Sequence, residues 1–300
     1  MNLAVDFAGV AMKNPVTVAS GTFGSGEEYS EFVDLSRLGA VTTKGVASEP
    51  WEGNPTPRIC ETYGGMLNAI GLQNPGIDMI LERDIPYLKK YDTNIIVNVC
   101  GRTVGDYLKV VERLADEDVD LLEINISCPN VEAGGMAFGQ DARQVEDITR
   151  RIKEKAGQPV IMKLTPNVAD IAEIARAAES GGADAVSLIN TLTGMKIDIS
   201  KRTFALANRT GGMSGPAVKP VAVRMVYQAA QAVNIPVLGM GGIQNAEDAL
   251  EFIMAGATMV AVGTANFHNP TATTDVIAGI EKFMQEQGVD DINELIGCVK

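Results

Sequence analysis

Eight short runs rich in β-branched residues limit the folds that this chain can adopt. Each run is nearly continuously apolar, as expected of parallel strands that are covered on both faces. We predict strands at 15–19, 40–44, 94–99, 120–126, 159–164, 184–190, 235–240 and 257–262. Helical patterns separate these runs, at 77–90, 103–117, 141–156, 167–181, 217–233, 245–255 and 270–287, with a weaker candidate at 27–38. This alternation predicts an α/β protein with the (β/α)8 TIM-barrel fold.

An open, doubly wound sheet is the alternative, but such sheets usually have fewer strands and a glycine-rich fingerprint after the first one. No G-x-G-x-x-G segment occurs in the sequence. Residues 3–12 have apolar positions on both sides of Ala8-Gly9, which predicts a small N-terminal hairpin that closes the barrel floor. No domain linker is evident, so we expect residues 1–300 to form a single domain, as α/β barrels of this length do.

Composition excludes several classes of function. The formal net charge of −13 argues against a nucleic-acid partner, because phosphate binding needs a basic patch. No apolar run reaches the roughly 18 residues of a membrane helix, and the N-terminal residues lack the positive region of a secretory signal. We therefore expect a cytoplasmic protein without a membrane partner. The four cysteines have no C-x-x-C spacing and histidine occurs once, which argues against a zinc or iron–sulfur site on this chain.

Three connections that follow predicted strands are too long for plain loops. They span 45–76 after strand two, 127–140 after strand four and 191–216 after strand six. Unstructured loops of such length are usually lids or binding loops. All three follow the carboxyl ends of strands, where the active sites of barrels lie. The sequence therefore predicts a functional site on that face.

Polar side chains stand near the carboxyl ends of the predicted strands. Lys44 and Lys163 each lie at the end of an apolar strand, where a cation is costly unless an anion meets it. They indicate either two structural salt bridges or a site for an anionic ligand, and we favour the site. Asn98, Asn125 and Asn190 occupy similar positions, where they are either turn formers or amides that recognise a heterocycle.

Glycines follow the last two predicted strands. Gly241-Gly242 comes after strand seven, and Gly263-Thr264 comes after strand eight. Either pair alone is compatible with simple turn chemistry. Barrels commonly bind phosphate with backbone N–H groups at these two positions, so together the pairs predict a phosphate site.

Cys128 lies in the segment EINISCPN, just beyond strand four and before a proline. A buried, inert thiol is the commonest fate of a cysteine. The long, glycine-rich loop that follows favours a thiol that reaches a ligand above the barrel. A free thiol has a pKa of about 8.5, so it can accept a proton when its surroundings lower that value modestly.

At these residues the chain resembles the class 1 dihydroorotate dehydrogenases, essentially from end to end. The motifs that carry the resemblance are 19–24 (ASGTFG), 43–45 (TKG), 68–74 (NAIGLQN), 125–130 (NISCPN), 189–191 (INT), 212–215 (GMSG), Gly241-Gly242 and Gly263-Thr264. Segments 128–131 and 134–139 are most similar to the B type, in which a flavin-binding catalytic barrel is paired with a separate electron-transfer subunit.

The resemblance implies FMN as the cofactor of this chain. It implies that the cofactor-binding residues are Ser20, Lys44, Gly45, Asn98, Asn125, Lys163, Ile189, Gly215, Gly241, Gly242, Gly263 and Thr264. It implies that the substrate-binding residues are Lys44, Asn68, Ala69, Ile70, Gly71, Leu72, Asn125, Asn190 and Thr191, and that Cys128 is the catalytic base.

The implied reaction is oxidation of (S)-dihydroorotate to orotate in the de novo biosynthesis of pyrimidines. A hydride would leave C6 for N5 of FMN, and Cys128 would take the proton from C5. Electrons would then pass to NAD through a partner subunit that holds FAD and a [2Fe–2S] cluster, in a heterotetramer of two plus two chains around a catalytic homodimer.

Several alternatives stay open at the level of sequence. The chain is compatible with an A-type homodimer that uses fumarate directly, or with another flavin-dependent dihydropyrimidine oxidoreductase. A tRNA dihydrouridine synthase is disfavoured by the acidic charge. Outside the flavoenzymes, a phosphate-binding lyase or isomerase barrel and a non-catalytic scaffold are the remaining candidates.

Overall fold

The computed structural model describes residues 1–127 and 138–299. Its strands are β1 (Val5–Phe7), β2 (Val10–Met12), β3 (Val16–Val18), β4 (Ala40–Thr42), β5 (Ile59–Thr62), β6 (Gly65–Asn68), β7 (Asn94–Val99), β8 (Leu121–Asn125), β9 (Val160–Lys163), β10 (Ala185–Leu188), β11 (Leu192–Met195), β12 (Ile197–Asp198), β13 (Thr203–Phe204), β14 (Thr210–Ser214), β15 (Val237–Met240) and β16 (Met259–Val262). Its α-helices are α1 (Ile77–Met79), α2 (Ile85–Leu88), α3 (Val104–Leu114), α4 (Ala142–Lys153), α5 (Ile171–Ser180), α6 (Lys219–Ala230), α7 (Ala246–Met254) and α8 (Ala272–Gln287).

Eight parallel strands form a nearly closed barrel, in the order β3-β16-β15-β10-β9-β8-β7-β4. Almost every residue of these strands is buried, because helices cover the outside and side chains fill the inside. The two end strands meet through the hydroxyl groups of Thr17 and Thr42, which lie 3.2 Å apart. The predicted TIM barrel is confirmed, and each predicted strand overlaps one of the eight.

The helices follow the predicted amphipathic patterns. Helix α3 begins with a capping box, in which the Thr103 hydroxyl accepts from the Asp106 amide and the Asp106 carboxylate accepts from the Thr103 amide. Asp170 caps α5 by accepting hydrogen bonds from the backbone N–H groups of Ala172 and Glu173. The predicted helix at 27–38 is wrong: the segment forms two short 3-10 turns, Glu28–Glu31 and Leu35–Arg37, between which no continuous helical hydrogen bonding runs.

The N-terminal hairpin is present and lies at the amino end of the barrel. Strands β1 and β2 pair with each other around Ala8-Gly9, and Val5, Phe7 and Met12 are buried in the main core. The other side of the hairpin shares a groove with residues 235–237, where β15 begins. The hairpin therefore covers the barrel floor, as predicted.

Two of the long connections build a roof at the opposite end. Strands β5 and β6 come from the segment after β4, and β11 and β14 come from the segment after β10. These four strands form one antiparallel sheet in the order β11-β14-β6-β5, in which Gly212 pairs with Asn68 and Leu192 pairs with Met213. We call this sheet the roof. The segments expected to be irregular loops are thus largely ordered by pairing with each other.

No helix within residues 1–127 and 138–299 is long and apolar enough to span a membrane.

Candidate active site

A cavity of about 440 Å3 lies between the carboxyl ends of the barrel strands and the roof. Its walls include the residues that follow β3, β10, β15 and β16, together with roof residues such as Met66 and Met213. The cavity is therefore on the face where the long connections predicted a site.

Most of the residues predicted to bind cofactor or substrate line this cavity. They are Ser20, Lys44, Asn68, Ala69, Ile70, Gly71, Leu72, Asn125, Lys163, Ile189, Asn190, Thr191, Gly215, Gly241, Gly242, Gly263 and Thr264. Asn98 does not line the cavity: it is fully buried in β7, and Gly45 lies against it. Cys128 lies outside the residues that the structure describes, so its predicted role stays a prediction.

A buried carboxylate, which the sequence analysis did not single out, organises the polar groups below the cavity. Glu123 points from β8 into the barrel, where its side chain is 1 % exposed. It accepts hydrogen bonds from Asn98 Nδ2 at 2.6 Å and Ser187 Oγ at 2.8 Å, and its Oε2 lies 3.4 Å from Lys163 Nζ. The signal that could have found it is the acid inside an apolar strand, since such a charge needs partners.

A second cluster links the ends of β8 and β10. Asn190 donates to Asn125 Oδ1 at 3.1 Å and to Ser127 Oγ at 2.7 Å, while Ser127 donates to Asn125 Oδ1 at 2.6 Å. The buried hydroxyl of Tyr107 donates to the Asn125 backbone carbonyl at 2.6 Å. These contacts fix the two asparagine amides at the cavity wall. Ser127 is a second residue that sequence reasoning passed over, although it lies within the NISCPN motif.

Lys44 lines the cavity next to Gly21, just beyond the end of β3. Its Nζ lies 3.3 Å from the position that a Cβ on Gly21 would take, so glycine there leaves room for the ammonium group. Burial lowers the pKa of Lys44 below its ordinary value of 10.5, nearby Cys100 raises it, and the positive charges of Lys163 and Arg58 lower it further. Of the two lysines predicted to form structural salt bridges or to meet a ligand, Lys163 has an ionic partner, whereas Lys44 has none among the described residues.

Glycines with left-handed backbones form the far end of the cavity. Gly215, Gly241 and Gly242 have φ values of 102°, 126° and 92°. A Cβ on Gly242 would lie 3.0 Å from the Gly215 carbonyl oxygen, so these two backbone segments touch directly. Thr264 joins the group through a 2.8 Å hydrogen bond to Ser214 Oγ. We call Gly215, Gly241, Gly242, Gly263 and Thr264 the glycine cradle.

The roof segment 68–72 is held in place by Asn54. The side-chain Nδ2 of Asn54 donates to the Ala69 carbonyl at 3.0 Å, and its backbone N–H donates to the Ile70 carbonyl. Gly71 has a φ of 72°, and a Cβ there would lie 2.6 Å from Asn54 N, so a larger residue does not fit. The segment that lines the upper side of the cavity is therefore a fixed wall.

The residues present fit a flavin nucleotide. The glycine cradle leaves backbone exposed at the strand ends where barrels bind phosphate. Lys163 supplies a cation at the cavity wall, next to amides that match the polar edge of a heterocycle. Behind the cavity wall, beside Gly45, Asn98 Oδ1 is fully buried and has no hydrogen-bond partner among the described residues. Among the described residues, no group of three or more histidine, cysteine or acidic side chains is placed to hold a metal ion.

A family model described as dihydroorotate dehydrogenase matches residues 2–284. The chain belongs to the dihydroorotate dehydrogenase family.

Curated relatives of this family cover the chain almost completely. A protein of Lachnoclostridium phytofermentans is 72% identical over 300 residues, which is 100% of both chains. A protein of Alkaliphilus oremlandii is 64% identical over 99% of this chain and 98% of its own, and one of Thermoanaerobacter pseudethanolicus is 54% identical over 100% and 99%. All three are named dihydroorotate dehydrogenase B (NAD(+)), catalytic subunit. The resemblance drawn from the motifs is thereby confirmed, and the roles of individual residues stay predictions.

Proposed function

We propose that this chain is the catalytic subunit of an NAD-linked dihydroorotate dehydrogenase, which oxidises (S)-dihydroorotate to orotate in de novo pyrimidine biosynthesis. The observation that carries the proposal is one continuous cavity, which joins the glycine cradle, the Lys163 cation and the asparagine amides under a fixed roof. A family member with these groups in one cavity has the parts needed to hold a phosphorylated redox cofactor beside a pyrimidine.

The proposed cofactor is FMN, which when bound accepts the hydride that leaves C6 of the substrate. Its phosphate would be held by backbone N–H groups of the glycine cradle. Lys163 would stabilise negative charge on the ring, with Asn98 and Gly45 behind it. Ser20, Lys44, Asn125 and Ile189 would complete the walls around the ring and the ribityl chain.

The substrate would lie under the roof. Its carboxylate would be attracted by Lys44, and its ring carbonyls would accept hydrogen bonds from the amides of Asn68 and Asn125. Asn190 would line the substrate pocket and hold the Asn125 amide in place. Residues 69–72 and Thr191 would form the remaining contacts. Cys128 would take the proton from C5 as a general base, and the roof would keep bulk water from competing for that proton.

The electron acceptor is the part of the proposal that needs a second protein. The relatives are named catalytic subunits of NAD(+)-using enzymes, which supports a partner that carries the electrons away. We propose that this partner holds FAD and a [2Fe–2S] cluster and joins two copies of this chain, themselves a homodimer, in a cytoplasmic heterotetramer of two plus two. Residues 1–300 would act within it as a single catalytic domain. Efficient reduction of NAD by the purified chain alone would contradict this arrangement.

An anaerobic absorption spectrum, recorded before and after addition of dihydroorotate, tests the proposal. The purified chain is expected to show a flavin band, and dihydroorotate is expected to bleach it within the mixing time of a manual experiment. Subsequent fumarate should leave the band bleached, since reoxidation by fumarate is the behaviour of the A-type alternative. A flavin band that dihydroorotate does not bleach would favour another dihydropyrimidine substrate. A folded chain that takes up no FMN would reject the flavoenzyme.

The lowered pKa of Lys44 predicts how product binding depends on pH. Orotate carries a carboxylate, so it prefers the ammonium form of Lys44. Because burial places the pKa below 10.5, the affinity for orotate should be constant at pH values below that lowered pKa and should fall as pH rises through it, by up to about tenfold per pH unit. Titration of the flavin spectrum with orotate from pH 6 to 10 measures this. The fall should vanish in Lys44→Met, and its persistence there would assign it to another group.

A further inference from the structure

Glu123 is an acid in the interior of the barrel. It sits in the middle of β8 and is almost completely buried, while Asn125 and Lys163 at the cavity wall lie one layer above it. An isolated carboxylate in such surroundings is strongly unfavourable, so its partners must compensate for the loss of water.

The partners come from three different strands. Asn98 belongs to β7, Lys163 to β9 and Ser187 to β10, and the nitrogen or hydroxyl group of each faces the carboxylate. An ionised carboxylate can only accept hydrogen bonds, so it fixes which way the Asn98 amide points. Nδ2 is turned toward Glu123, and Oδ1 is turned away from it toward Gly45, where no described residue offers it a hydrogen bond.

The Lys163 contact differs from the other two. Its Nζ–Oε2 distance is 3.4 Å, compared with 2.6 Å for Asn98 and 2.8 Å for Ser187. Lys163 also lines the cavity, whereas Glu123 does not. The ammonium group therefore stands between the buried carboxylate and the place where a ligand binds, and the carboxylate both restrains it and offsets part of its charge.

We propose that Glu123 is a positioning residue of the flavin site, which orients the Asn98 amide and restrains the Lys163 ammonium, and thereby lowers the reduction potential of the bound flavin. This inference rests on the proposed FMN site, and it goes beyond that site in assigning a residue that does not touch the cofactor. Without the carboxylate, Lys163 faces the flavin as an unrestrained cation and stabilises the negative charge of the reduced form more strongly.

Glu123→Gln separates this role from a merely structural one. Glutamine has the same shape: its Oε1 can accept from Asn98 and Lys163, and its Nε2 can donate to Ser187, whose hydroxyl group can act as an acceptor. The variant therefore keeps the hydrogen bonds and removes the charge. If Glu123 had only a structural role, Glu123→Gln would lower the stability of the FMN-free protein and leave the flavin potential unchanged.

The readout is the midpoint potential of bound FMN, measured anaerobically against a reference dye. Glu123→Gln is expected to shift the equilibrium about tenfold toward reduced flavin, which is about 30 mV for a two-electron couple. Ser187→Ala, which removes one hydrogen bond from the same carboxylate and leaves its charge, should shift it less than threefold. Asp84→Asn should also shift the equilibrium less than threefold. It neutralises another buried acid, which accepts hydrogen bonds from Ser25 and Arg83. A shift under threefold in Glu123→Gln, or one of opposite sign, overturns the proposal.

A second pair of variants covers the case in which Glu123→Gln does not fold. The single variant Lys163→Gln is compared with the double variant Lys163→Gln/Glu123→Gln, which buries neither charge. If Glu123 acts through Lys163, the equilibrium between oxidised and reduced flavin should agree within threefold in these two variants. A larger difference would mean that the carboxylate acts on the flavin directly, which contradicts the positioning role.

The experiment also separates the two levels of inference. A wild-type chain that binds no FMN overturns the proposed function and this inference together. A wild-type chain that binds FMN and is bleached by dihydroorotate, but whose potential is insensitive to Glu123→Gln, overturns only the role of Glu123.

Discussion

Cys128→Ala is expected to slow the reduction of bound flavin by dihydroorotate by about 10²–10⁴-fold, the usual contribution of a general base. The proposal gives the C5 proton to this thiol, and alanine offers no group that can accept it. Stopped-flow absorbance under anaerobic conditions measures the single turnover directly. The FMN content and the affinity for orotate should change little, because the variant removes a proton acceptor and leaves the other proposed contacts.

Cys298→Ala is the matched control. Cys298 is an exposed free cysteine and does not line the cavity, so its replacement should leave the reduction rate unchanged. A loss of less than about tenfold in Cys128→Ala would be too small for a general base and would remove Cys128 from that role.

Gly242→Ala is expected to weaken FMN binding by about 10–100-fold. The residue has a φ of 92°, which costs a residue with a Cβ about 1–2 kcal/mol. The new Cβ would also lie 2.8 Å from Lys219 Cβ and 3.0 Å from the Gly215 carbonyl oxygen, so the cradle must shift. Because a tenfold loss corresponds to about 1.4 kcal/mol, strain of this size is enough to produce it. Quenching of FMN fluorescence during titration of the FMN-free protein gives the dissociation constant.

Gly288→Ala is the control for left-handed strain outside the proposed site. Gly288 ends α8 with a φ of 67°, and apart from its chain neighbours no described residue has an atom within 4 Å of the position of its Cβ. The control therefore has the left-handed strain without a clash and lies outside the cavity. It should lower the free energy of unfolding and leave the affinity for FMN unchanged. Equal losses of FMN affinity in the two variants would show that the cradle is not the phosphate site.

The barrel could be predicted because its signals are local. An apolar run in the sequence indicates each strand, and helices such as α3 have their own capping residues and apolar faces. The roof could not be predicted in this way, because Asn68 and Gly212 are paired across more than a hundred residues and neither segment shows a strand pattern of its own. The weak helix pattern at 27–38 failed for a related reason: a few apolar positions do not supply enough hydrogen-bonded turns.

The site likewise has residues that the sequence could place and residues that it could not. Residues at strand ends could be placed together from the barrel rule alone, and Lys44, Lys163 and Asn190 do line one cavity. Asn98 shows the limit of that rule, because the end of β7 directs its side chain into the core, toward Glu123. Glu123 itself was overlooked because its partners lie on three other strands, and sequence spacing does not report contacts of that kind.

The roof strand β14 runs without interruption into Gly215, so its length is constrained from both sides. Its residues pair with β6 at one edge, and its last residue, Ser214, is tied to Thr264 beside the cradle. A single inserted or deleted residue in β14 would turn every following side chain to the other face of the sheet and displace the cradle as well. Among related chains, insertions and deletions in this connection should therefore concentrate in the largely exposed part at 196–204, while 210–216 should keep a constant length.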